Sequence, residues 1–159
     1  MIAEKLQKEI NEQVVAEMWS ANLYLSMSLH MARAGYCGMA HWLKKQWEEE
    51  NTHAWQMADY ITQRGGKAVI NKVDVVPVDF GTPLEIFEQV YSHECRVSGL
   101  IDKLVDSAIA AKDKATEEFL RGFVREQMEE ESTASGIVDK LKLAGTTGLL
   151  YVDQQLGMR

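Results

Sequence analysis

Apolar residues recur at steps of three and four along four long stretches of the chain, the spacing of amphipathic helices. The first stretch runs from about residue 5 to 33 and stops near Gly35. The second runs from about 37 to 64, where Gly65-Gly66 supplies a C-terminal stop. Lys67 to Gly81 is too irregular for a helix. Thr82-Pro83-Leu84-Glu85 then restarts one, with threonine as cap, proline at the first helical position and glutamate at the third. This third stretch reaches about Ala111, and Asp113 or Lys114 opens a fourth that ends before Gly145. A short fifth, Leu149 to Leu156, follows Thr146-Thr147-Gly148.

Connection lengths predict the topology. The links after the first and third stretches are a few residues long, so each pair forms an antiparallel hairpin. The middle link of about 15 to 18 residues spans roughly 50 Å when extended, against about 42 Å for a helix of about 28 residues. It can therefore run the length of a bundle and leave the second and third helices parallel. The expected fold is all-α: a four-helix bundle with one long crossover and a short fifth C-terminal helix.

Composition agrees. The 159 residues fit one domain, 1–159, with the bundle over about 5–143 and the fifth helix over about 147–156. The only prolines, Pro77 and Pro83, fall in one short stretch. A net charge of −7 argues against nucleic acid as a partner, because phosphate binding needs a basic face. No uncharged apolar run of about 18 residues exists to span a membrane, and Met1 to Ile10 lacks the apolar run of a signal peptide. Cys37 and Cys95 stand apart and form no CxxC. A cytoplasmic protein with reduced thiols is expected.

The chemistry lies in what interrupts the apolar seams. The first helix gives Leu6, Ile10, Gln13, Glu17, Ser20, Tyr24, Met27 and Met31; the second gives Met39, Leu43, Gln46, Glu50, His53, Met57 and Tyr60. The third gives Leu84, Phe87, Tyr91, Glu94, Ser98, Ile101, Val105 and Ala108; the fourth gives Leu120, Phe123, Gln127, Glu130, Ala134, Ile137 and Leu141. Each seam is apolar or aromatic near its ends and carries an ionisable residue near its middle. In a full-length bundle those middles share one level. Burying one carboxylate costs several kcal/mol, and burying four of like charge costs far more. Protonation could neutralise one or two of them; no Lys or Arg occupies a central seam position to offset the others, and a metal pair would. Oxygen ligands with one imidazole suit iron, manganese or, less selectively, zinc. Glu50 and His53, at i and i+3, project from one helix face and can reach the same ion.

Glu17, Glu50-x-x-His53, Glu94 and Gln127-x-x-Glu130 resemble the ferroxidase-centre pattern of bacterial non-haem ferritins, and the resemblance covers the chain almost from end to end. It implies a ferritin-like fold in which Glu17, Glu50 and His53 hold one iron while Glu50, Glu94 and Glu130 hold the other. Gln127 would face the oxidant. Tyr24 matches a tyrosine near the centre, although a core aromatic bonded to a seam carboxylate explains it equally well. Glu49, Glu126 and Glu129 match an accessory iron site; the runs Glu48-Glu49-Glu50 and Glu129-Glu130-Glu131 also fit solvated faces. The implied activity is oxidation of Fe(II) by O2 or H2O2 and deposition of ferric mineral inside a homo-oligomeric shell of 24 subunits, with two irons per subunit and a possible third. The fifth helix would line the fourfold axis of that shell; folding back on its own bundle is the alternative. No haem is expected, since Asn51 and Thr52 fill the positions between Glu50 and His53.

Two other functions fit parts of the pattern. A dinuclear oxidase acting on an organic substrate would need an apolar pocket beside the metals. A storage shell with an inactive centre would not need the five central ligands.

Overall fold

The computed structural model describes residues 1–159. Five helices follow in order: α1 (Glu4–Ala34), α2 (Cys37–Gln63), α3 (Pro83–Ala110), α4 (Lys114–Ala144) and α5 (Leu149–Leu156). Their ends are set by local chemistry. Gly35 closes α1 at φ 90°, a left-handed conformation open to glycine, with its N–H on the Ala32 carbonyl. Thr82 and Glu85 form a reciprocal capping box at the start of α3, with Pro83 in the first turn. Asp113 caps α4 by accepting from the Thr116 N–H, and the same carboxylate receives both terminal nitrogens of Arg64, at 3.2 and 3.0 Å. One aspartate thus starts α4 and pins it to the end of α2.

The crossover is held along α1 in rising order. Lys67 N–H donates to Gln7 Oε1 (2.9 Å) and Val69 N–H to Asn11 Oδ1 (2.7 Å). Trp19 Nε1 donates to the Val75 carbonyl (3.2 Å), and Ser26 Oγ to the Pro77 carbonyl (2.7 Å). His30 Nε2 lies 3.1 Å from the Gly81 carbonyl. The strap therefore runs parallel to α1 and antiparallel to α2, so α3 begins at the end of the bundle where α2 began.

Polar residues divide the core into two clusters. One gathers Leu23, Tyr24, Met27, Met31, Met39, Leu43, Phe87 and Leu141 among others. The second gathers Leu6, Ile10, Val14, Met57, Ile61, Ile101, Leu120 and Phe123 among others. Between them lies a buried polar belt: Gln13, Glu17, Ser20, Gln46, Glu50, His53, Glu94 and Gln127.

One sequence expectation needs correction. On α3 the buried face carries Val90, Val97 and Leu104, while Tyr91 is exposed and Ser98 and Val105 are half-buried. Runs of three and four steps are interchangeable where apolar residues sit on both sides of a seam, and packing selects the set in heptad register with Glu94. The apolar face of α5 folds back on its own bundle. Val152 is buried, and Leu149 and Leu156 pack on the same core cluster. The helix comes so close to α2 that a Cβ at Gly38 would stand 1.7 Å from the Asp153 carbonyl oxygen. Asp153 Oδ1 accepts from the Met39 N–H (2.7 Å), capping α2 from outside. Leu150 and Tyr151 remain exposed on the opposite side of α5.

Candidate metal centre

Four helices deliver the belt side chains to one level. Donor atoms of Glu17, Glu50 and His53 all lie within 4.8 Å of one another, and all three residues are buried. Gln13 Nε2 donates to Glu17 Oε1 (2.8 Å), one turn away on α1. Glu17 Oε2 finds no donor; its neighbour is the Glu50 carboxyl. A buried acceptor left unpaired costs about 1–3 kcal/mol, so the pair calls for a shared proton or a cation. Opposite them, Glu94 is fully buried, accepting from the Tyr24 hydroxyl and from Gln127 Nε2 (3.0 Å). Glu130 is half-buried and accepts from Gln46 Nε2 (2.9 Å).

The electrostatics follow from burial. Desolvation first, and the Glu50 charge second, lift Glu17 well above the usual carboxylate range. Desolvation and then Glu94 do the same to Glu50. Glu94 is raised by its burial, and Glu130 is pushed up to about 7 by burial and by Glu49 and Glu94. Tyr24 is raised well above its usual value by burial and by Glu94. Without a cation, burial favours the neutral, protonated form of these carboxyls. A divalent pair would displace those protons and satisfy the same oxygens.

His53 is held from both sides. Its Nδ1 lies 3.3 Å from Glu50 Oε2 and its Nε2 lies 3.2 Å from Glu126 Oε2. With Nε2–H donating to Glu126, Nδ1 keeps a lone pair turned into the centre, where a protonated Glu50 or a metal can take it.

The ferritin-like domain family matches residues 7–144, which contain every residue of this centre. The chain belongs to the ferritin family. Its full length aligns at 63% identity with a bacterial non-heme ferritin of Bacteroides fragilis, covering 100% of each chain. An Escherichia coli bacterial non-heme ferritin is 34% identical over 98% of this chain and 96% of its own. Among solved structures, the open pore ferritin of the archaeon Archaeoglobus fulgidus superposes with a TM-score of 0.98 at 42% identity, covering 100% of this chain and 99% of that one.

Two surroundings are found in this ferritin for the positions read as an accessory site. Glu126 turns to His53, whereas Glu49 and Glu129 border an open cleft of about 580 Å³ that also reaches Glu130. Sequence reading missed three participants. Gln13 and Gln46 were visible as seam residues but carried no assigned role; each is the amide that orients a belt carboxylate. Arg159 was invisible. Lying beyond α5, it brings to the cleft a cation that no seam contains, 2.8 Å from Glu49.

Proposed function

We propose that this ferritin stores iron, oxidising Fe(II) at the belt before depositing it as ferric mineral inside a hollow homo-oligomer of 24 subunits. The observation that carries this reading is the belt itself. Glu17, Glu50, His53 and Glu94 are gathered with Gln13, Gln46 and Gln127 between two apolar cores, with half-buried Glu130 beside them and an unpartnered oxygen on Glu17. Iron is the substrate. Glu17, Glu50 and His53 Nδ1 would take one Fe(II), and Glu50, Glu94 and Glu130 the other, with Glu50 shared. Each pair oxidised gives two electrons to one O2, which leaves as H2O2 after taking two protons, or to one H2O2, which leaves as two waters after taking two protons. Oxygen-rich ligation favours Fe(III) over Fe(II), and a single imidazole keeps the grip weak enough for the product to move on.

Tyr24 holds Glu94 by its hydroxyl, and Gln127 holds the other oxygen of the same carboxylate, so both would position a ligand whether or not Tyr24 also donates an electron. Glu49 and Glu129 would receive iron leaving the centre. Assembly is supported by apolar side chains left in water on one subunit: Leu29, Trp55, Leu150 and Tyr151 are each well over half exposed. No helix is long and apolar enough to cross a membrane.

The test is Fe(II) oxidation in air, followed by absorbance, with particle size measured on the same sample. The wild type should oxidise about two irons per subunit in a fast phase and then accumulate many more. Glu50→Ala with His53→Ala should slow the fast phase by at least about 100-fold, the upper range seen when a metal site loses even an orienting partner. An unchanged fast phase, or a particle no larger than a dimer, would reject the reading.

A further inference from the structure

The cleft beside the centre already contains a cation. Arg159 lies three residues past the end of α5, and its backbone oxygen is 2.9 Å from His41 Nε2. Its guanidinium lies over the ring of Trp42, 4.8 Å from the centroid. One terminal nitrogen donates to Glu49 Oε2 at 2.8 Å, and the other donates to Gln46 Oε1. Gln46 in turn spends its amide nitrogen on Glu130 Oε2. Three groups on one face of α2, spaced as Trp42, Gln46 and Glu49, thus grip the guanidinium by stacking, by hydrogen bond and by charge.

Two consequences follow from this geometry. Glu49 can serve Arg159 or a metal ion with the same oxygen, but not both at full strength. With its carbonyl oxygen held by Arg159, Gln46 must also keep its amide nitrogen towards Glu130, which fixes one oxygen of that carboxylate. A cation arriving at Glu49 therefore competes with the guanidinium for that oxygen.

We propose that Arg159 is a built-in competitor for metal ions at the Glu49, Glu129 and Glu130 carboxylates, and that an ion using this cleft must displace the guanidinium and so free Gln46 and Glu130. Arg159 is then a positioning residue: it acts on Glu130 through Gln46 and sets how tightly the cleft retains an ion passing between the centre and the mineral. A weakly held ion moves on; a tightly held one blocks the way. The proposal rests on the reading of Glu49 and Glu129 as ion-binding groups.

The experiment is a titration of the assembled apoprotein with Tb(III), a hard trivalent ion with an affinity for carboxylates. Calorimetry counts the ions, and luminescence excited through tryptophan marks an ion near Trp42. Wild type, Arg159→Gln and Arg159→Lys are compared, with particle size confirming assembly. An ion beyond the two at the centre should bind roughly tenfold tighter to Arg159→Gln than to wild type, with brighter sensitised emission, one charge-assisted contact having been removed from the competition. Arg159→Lys should fall between, because an ammonium keeps the charge but loses the planar fork. Equal affinity and emission in wild type and Arg159→Gln would overturn the proposal and leave Arg159 as an anchor for the tail. Two ions at the centre and no further ion in either protein would overturn it together with the accessory reading, while leaving the central site intact.

Discussion

Protons on the belt carboxyls make pH a direct probe of the site. Glu130, pushed up to about 7 by burial and by Glu49 and Glu94, shows the sign. A carboxyl whose folded value lies above its unfolded one prefers the neutral form in the fold. Its stabilising contribution is complete below the unfolded value and is lost as pH rises through about 7. Glu17 and Glu50 are raised in the same direction, so they reinforce the trend. The thermal midpoint of the apoprotein should therefore fall between pH 5 and pH 8. Glu130→Gln, which cannot ionise, should remove part of the slope, on the order of 1–3 kcal/mol. Loading with Zn(II) should flatten the curve, because the metal takes over from the protons. An apoprotein that gains stability over the same interval would show that the belt carboxyls are charged and otherwise compensated.

Among the elements, α5 depends most on a single position. Gly38 has no side chain where one would meet the Asp153 backbone at 1.7 Å, and a backbone atom cannot swing aside as a side chain can. Gly38→Ala should push α5 off the end of the bundle, lose the Asp153 cap on α2 and uncover Val152. The expected cost is about 1–3 kcal/mol, with the thermal midpoint lower by several degrees and proteolysis beyond residue 145 accelerated. A variant as stable and as protease-resistant as the wild type would mean that α5 docks otherwise. The sequence spoke plainly where local chemistry decides an element. Thr82-Pro83-Leu84-Glu85 is a helix start on inspection, and the seams of α1 and α4 fall on their buried faces, with Glu130 alone half-buried. It was ambiguous on α3, where Tyr91 and Val90, Ser98 and Val97, Val105 and Leu104 are neighbours of similar claim, and only packing against α4 chooses between them. It was silent on Arg159. That residue belongs to no periodic stretch, and its meeting with Glu49 depends on the angle at which α5 crosses the bundle, a property of the whole packing.

At the scale of the molecule, the crossover and the two hairpins could be built around a continuous apolar core, and four of the helices have the length for it. Instead the core is cut in two, and the cut falls at the level where Glu17, Glu50, His53, Glu94 and Gln127 meet. Each of these residues is desolvated, and one carboxylate oxygen has no donor, so the belt works against folding in the absence of metal. Replacing it with apolar side chains of similar volume should make the apoprotein more stable. In a variant with Gln13, Glu17, Glu50, Glu94 and Gln127 changed to Met, His53 to Leu and Tyr24 to Phe, the buried amide of Gln13 is removed together with its partner Glu17, and the hydroxyl of Tyr24 and the amide of Gln127 together with theirs, Glu94. Gains of about 1–4 kcal/mol have precedent when buried ionic groups give way to well-packed apolar ones, and for a domain of this size each kcal/mol raises the midpoint by about 2–4 °C. The same variant should bind no metal in the bundle and show no fast oxidation, and loading with Zn(II) should leave its midpoint unchanged while raising that of the wild type. A variant that melts lower than the wild-type apoprotein, or loses a cooperative transition, would assign the belt a different role: fixing the register between the two apolar halves, with its polar contacts specifying the fold as well as binding the metal.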